Sequence, residues 1–117
     1  MTQDSRQSLI ELLFLSLYLD NHLSLAEDEV LTTALDALGW EAELPREIFI
    51  FQAFAKAREA AGDEVKTDAF LASHADVFAV NGSSVPALTW LYKILGSDGI
   101  SMAEERFLKK LEKRLFA

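Results

Sequence analysis

The chain has 117 residues, 19 Asp plus Glu against 11 Lys plus Arg, a formal charge of −8, two histidines and no cysteine, and half of its residues are hydrophobic. That length suits one domain with a real core, and so apolar a composition excludes disorder. The missing cysteines exclude a disulfide scaffold or a thiolate zinc site, and the acidic balance argues against nucleic acid, whose phosphates are held by Lys and Arg. Cations and basic protein surfaces are the partners this charge favours.

Glycine and proline divide the chain into six helical pieces, with no alternation of period two long enough for a strand. The first spans Ser5 to Leu19. Its stripe of Leu9, Leu12, Leu13 and Leu17, flanked by Ile10, Phe14 and Tyr18, is wide enough for a central helix. The run Leu9 to Leu19 holds Glu11 and Ser16 and is followed by Asp20-Asn21-His22, so it reads neither as a signal peptide nor as a membrane span, which needs roughly 20 apolar residues. The second helix opens at Ser24, whose hydroxyl can cap it while Glu27 reaches back, and stops at Gly39. Pro45 opens the third, which carries Ile48, Phe49, Phe51, Phe54 and Ala57 up to Gly62.

Thr67 or Asp68 is expected to cap a fourth helix through Phe70, Leu71, Val77 and Phe78, ending near Asn81-Gly82. Ser84 and Pro86 open the fifth, with Leu88, Trp90, Leu91, Ile94 and Leu95, closed by Gly96, and the sixth runs from Ser101 to the end. Linkers this short belong to a compact helical bundle and not to separate domains.

At an offset of 77 the first two helices fall on the last two without gaps. Leu23-Ser24-Leu25-Ala26-Glu27 aligns with Ile100-Ser101-Met102-Ala103-Glu104, and apolar positions agree on both sides of the loop. The pattern implies two similar helix-loop-helix units at the two ends of the chain, packed together. Each junction, Asp20 to Ser24 and Ser97 to Ser101, sets carboxylates beside a helix start. One reading is structural: Asn21 and Gly99 take a left-handed turn, Leu23 and Ile100 plug the core, and Ser24 and Ser101 cap the next helix. The other is that Asp20, Glu27 and Asp28, or Asp98, Glu104 and Glu105, give oxygen ligands to a hard cation such as Ca²⁺ or Mg²⁺. Neither loop is an EF-hand, since the sixth and twelfth positions are Leu25 and Leu31 from Asp20, and Ala103 and Lys109 from Asp98. His22 in its loop and His74 beside Asp76 read as ordinary histidines and not as metal ligands.

The doubled junction resembles the TerB-like family of tellurite-resistance proteins, on Asp20, Asn21, Leu23 and Glu27 and on Asp98, Gly99, Ile100 and Glu105. Asn21 stands where the family pattern has glycine, and the second unit is one residue shorter between Asp98 and Ile100. The resemblance implies an all-helical, cytoplasmic protein with an acidic cation-binding surface, in a stress or metal-response context. The lack of cysteine fits a reducing cytoplasm.

No nucleophile elbow, phosphate loop, metalloprotease helix or dinucleotide turn is present, so no enzyme is expected. Charge is polarised: residues 1 to 103 carry a net −10 and residues 104 to 117 a net +2. Eight acids and the single base Arg46 lie between Asp20 and Glu47, either as a solvated face or as a patch for a cation or basic partner. Phe49, Phe51 and Phe54 cannot all face one way on a helix. Whichever of them the core leaves uncovered marks an interface with a protein partner or with a second copy of the chain. The expectation is therefore an all-α, non-enzymatic, TerB-like domain over residues 1 to 117, with a divalent cation at the acidic junctions and a protein partner. The competing reading is an adaptor or homodimerisation module with no metal role.

Overall fold

The computed structural model describes the backbone of residues 1–20, 25–96 and 99–116, and their side chains apart from those of residues 20 and 25–31. The described residues form six α-helices and no strand: α1 (Gln3–Asp20), α2 (Leu25–Leu38), α3 (Arg46–Ala60), α4 (Glu64–Val80), α5 (Ser84–Leu95) and α6 (Met102–Phe116). This is the all-α bundle that the periodicity predicts. None of these helices is long and apolar enough to cross a membrane.

α1 is the axis of the bundle and touches α3, α4, α5 and α6. Its buried residues include Leu9, Ile10, Leu12, Leu13, Phe14, Leu15 and Leu17, which cover nearly the whole circumference, so it can be stable only when enclosed. α3 lies closest along it. Ala53 and Ala57, one turn apart and fully buried, let the two backbones approach, and Phe14 stacks on Phe54 with ring centroids 4.0 Å apart. α5 and α6 close the far side with Leu91, Leu95, Phe107, Leu108 and Leu111.

Helix ends follow local chemistry. Gly39 and Gly99 sit at φ 78° and 98°, left-handed values that a β-carbon would strain. Ser101 and Glu104 form the reciprocal box at the start of α6: the Glu104 amide donates to the Ser101 hydroxyl at 3.1 Å, and the Ser101 amide donates to Glu104 Oε1 at 2.9 Å. The matching residues Asn21, Leu23 and Ser24 lie outside the described residues. α4 departs from expectation, since it begins at Glu64 and its cap is Asp63, which accepts from the Lys66 amide at 2.7 Å. Thr67 is inside the helix, and its hydroxyl donates back to the carbonyls of Ala60 and Asp63 at 2.8 and 3.0 Å, tying the start of α4 to the end of α3.

Candidate functional site

A bundle whose central helix is apolar all round leaves polar side chains on that helix with nowhere to hydrate. α1 carries Ser5, Ser8, Glu11 and Ser16 in buried positions. A buried polar group without a partner costs about 1–3 kcal/mol; among the described residues the Ser16 hydroxyl has none, and the other three find one inside the protein. Ser5 meets the hydroxyl of Ser83 at the start of α5. Ser8 and Glu11, three residues apart and therefore on one face, both meet His74 from α4.

The geometry at His74 is specific. Its Nε2 lies 2.8 Å from Glu11 Oε2, and its Nδ1 lies 2.8 Å from the Ser8 hydroxyl. A carboxylate only accepts, so Nε2 carries the proton; in the neutral ring Nδ1 is then the acceptor and Ser8 donates to it. The other carboxylate oxygen of Glu11 has Lys56 of α3 at 3.4 Å. Burial raises the Glu11 pKa, but the hydrogen bond and charge of His74, followed by the charge and hydrogen bond of Lys56, outweigh it and hold the carboxyl below its ordinary 4.5. Phe70 completes the setting, its ring edge-on to the imidazole at 4.4 Å.

This network is the floor of a groove of about 650 Å³ between α3 and α4. The two helices are pinned together at the Thr67 end by their short connection, and the groove between them reaches Leu44 beyond one and Val80 and Asn81 at the end of the other. α1 contributes Asp4, Gln7, Ser8 and Glu11, a stripe at helical period; α3 contributes Phe49, Gln52 and Lys56; α4 contributes Ser73, His74, Asp76 and Val77. The lining is mixed: Leu44, Phe49, Val77 and Val80 are apolar, while Asp4, Gln52, Lys56, Ser73 and Asp76 bring polar groups to its exposed parts. Asp76 is held from outside by Arg114 of α6 at 3.2 Å.

Ser8, His74 and Glu11 have the connectivity of a serine, histidine and carboxylate relay, yet the surroundings do not suit acyl transfer. Ser8 is 4% exposed and sits inside α1, where backbone N–H groups are spent on carbonyls four residues back. An oxyanion hole needs donors aimed at the reacting carbon's oxygen, and a helix interior has none to give. The arrangement fixes the orientation of His74 and holds the Glu11 carboxylate in place.

The residues singled out by sequence fall in three places. At the junctions, the side chains of Asp20, Glu27 and Asp28, and all of Asp98 and His22, lie outside the described residues. Glu104 is buried as the capping carboxylate, and Glu105 turns to Lys109 at 3.0 Å along its own helix. Among the described residues, no three His, Asp or Glu side chains gather as a metal set. On α3, Phe49 is buried beside Trp40, with centroids 5.2 Å apart, and Phe54 lies between Phe14 and Tyr18. Phe51 is 79% exposed. Between Asp20 and Glu47, Glu41 pairs with Arg6 and Asp36 with Arg46.

The chain matches no family model, no characterised protein and no solved structure. The groove and the residues that line it therefore carry the functional argument by themselves.

Proposed function

We propose that this protein is a non-enzymatic interaction domain that receives a segment of a protein partner along the α3–α4 groove. The observation that carries the reading is the outer side of α3. Ile48 and Phe51, one turn apart, are turned to water, and Ala55 continues their line. That ridge lies 100° round the helix from the groove-lining Phe49, Gln52 and Lys56, so ridge and groove form one surface. Leu44 and Val80, the latter 87% exposed, extend the apolar area across the mouth. An exposed apolar ridge beside a cleft is the kind of surface that marks a protein interface.

Selection of displayed peptides against the wild-type protein tests this. Phe51→Ser should stay folded, with stability within about 0.5 kcal/mol of wild type by urea denaturation, because its ring buries little. The same variant should weaken selected peptides about tenfold or more, as loss of an aromatic anchor does. Peptides indifferent to both Phe51→Ser and Val80→Asp would sink the reading.

A second reading, drawn from the TerB-like resemblance and its stress or metal-response context, places a Ca²⁺ or Mg²⁺ ion at the junctions. One feature favours it: the second carboxylate oxygen of Glu104, Oε2, is buried with no hydrogen-bond partner among the described residues. A cation held there would satisfy that oxygen. Calorimetric titration of chelator-treated protein should then give saturable heat that Glu104→Gln removes, since the amide keeps the cap acceptor but loses the charge. Equal heats from both proteins would remove Glu104 from the site, and no heat from either would remove the ion.

A further inference from the structure

The groove floor holds one carboxylate, and a cation from the protein itself is already seated on it. Glu11 Oε2 is taken by the imidazole of His74 from below. Among the described residues Oε1 has only the Lys56 ammonium, at the long distance of 3.4 Å, and the Lys56 side chain is 61% exposed. A lysine that solvated can leave its partner at little cost, whereas Glu11, on a buried helix, cannot follow it. The floor therefore keeps an ionised acceptor that an outside donor can claim.

Resting on the interaction reading above, we infer that Glu11 reads a basic side chain of the partner segment, an arginine flanked by apolar residues, and that Lys56 is the internal occupant this arginine displaces. The charge of the cleft matches such a guest. Asp4 and Asp76 line it with Glu11, Asp76 already paired with Arg114 at 3.2 Å, and Lys56 is the one Lys or Arg among the described lining residues, on a chain of net charge −8. The shape matches too. An arginine stem has three methylenes to lay against Phe49 and Val77 on its way to the floor, and its planar fork can bond Glu11 Oε1 while reaching a second acceptor. Gln52 and Ser73 offer such acceptors in the same walls. Apolar residues on either side of the arginine would meet Leu44 and Val80 at the mouth. A low-dielectric floor strengthens the ionic hydrogen bond relative to one made in water, so the contact selects for charge as well as for fit.

Competition with Lys56 makes the inference testable without knowing the natural partner. The probe is a short capped peptide with one arginine between leucines, compared with its citrulline twin, whose ureido group keeps the size and polarity and drops the charge. Both are titrated into the full chain while backbone amide resonances of Ser8, Ser73, His74, Val77 and Asn81 are followed. The arginine peptide should move these resonances and bind about tenfold or more tightly than the citrulline peptide, the worth of one charge-assisted hydrogen bond. Lys56→Met, at an exposed position that folding tolerates, should tighten the arginine peptide about two- to fivefold, since an exposed pair of this kind contributes little. Glu11→Gln should erase the preference for arginine over citrulline.

Equal affinity of the two peptides at the groove resonances would overturn the role of Glu11 while leaving a partner groove in place. No shift of those resonances with either peptide would overturn the groove reading itself. A dimer of the free protein whose formation moves the same resonances would overturn the inference by naming a second copy of the chain as the occupant.

Discussion

Phe14→Ala is expected to cost about 3–5 kcal/mol, the range for removing a fully buried phenylalanine. Phe14 is 1% exposed at the middle of α1, and its ring lies nearly parallel to that of Phe54, at 13° and 4.0 Å, while Phe54 meets Tyr18 edge-on at 6.2 Å. The cavity left behind cannot collapse easily. α1 and α3 already approach through Ala53 and Ala57, and the nearest large ring, Phe54, is held edge-on by Tyr18, which limits how far it can swing into the gap. A domain of this size has about 5–15 kcal/mol in all, so the variant would lose a large part of it. Urea denaturation should show a much lower midpoint with an unchanged slope. Phe54→Ala, at a half-buried ring, should cost less, and the double variant should reveal a coupling of about 0.5–1.5 kcal/mol for the stacked pair. A loss below about 1 kcal/mol for Phe14→Ala would show that the ring is not packed in this way.

The architecture was legible in the sequence because each signal for it is local. Gly39 ends α2 at a left-handed residue, the Ser101 and Glu104 box starts α6, and the continuous apolar circumference of α1 requires a central position. Where tertiary contact decided, the sequence was silent. Nothing in the spacing of Phe49, Phe51 and Phe54 says which face α1 will cover, and the packing buries Phe49 and leaves Phe51 out. Thr67 and Asp68 have good capping chemistry but lie a turn inside α4, because Asp63 is free to cap earlier and the Thr67 hydroxyl is used on the Ala60 carbonyl.

The candidate site was harder to see for the same reason, since its residues come from three helices between Asp4 and Asn81. Glu11 reads in sequence as an interruption of an apolar run, and His74 as an ordinary histidine beside Asp76. One signal was present. Asp4, Gln7, Ser8 and Glu11 recur at helical period, and Ser8 and Glu11 are buried where the helix turns apolar from Leu9 onward. A polar stripe on a helix that must be enclosed has to face either a partner side chain or a cleft, and here it faces both.

Glu11→Ala is expected to cost about 2–3 kcal/mol at neutral pH, through the loss of two hydrogen bonds to an ionised group. Breaking a fully buried pair costs about 3–5 kcal/mol; the smaller figure applies because Lys56 is mostly solvated and can return to water. Lys56→Met should therefore cost under about 1 kcal/mol, and most of the Glu11 effect should track His74. The acid limb gives the sign. The folded Glu11 carboxyl titrates below its ordinary 4.5, so between those two values the unfolded chain binds more protons than the native one, and stability rises with pH. The contribution is complete above about pH 4.5 and is lost as the pH falls through the depressed folded value. Urea midpoints measured from pH 3 to pH 7 should thus fall more steeply on the acid side for wild type than for Glu11→Gln, the two curves drawing together as the carboxyl is protonated. Curves that stay parallel over the whole range would mean that His74 and Lys56 do not stabilise the charged form of Glu11, and the groove floor would lose the fixed negative charge on which arginine recognition depends.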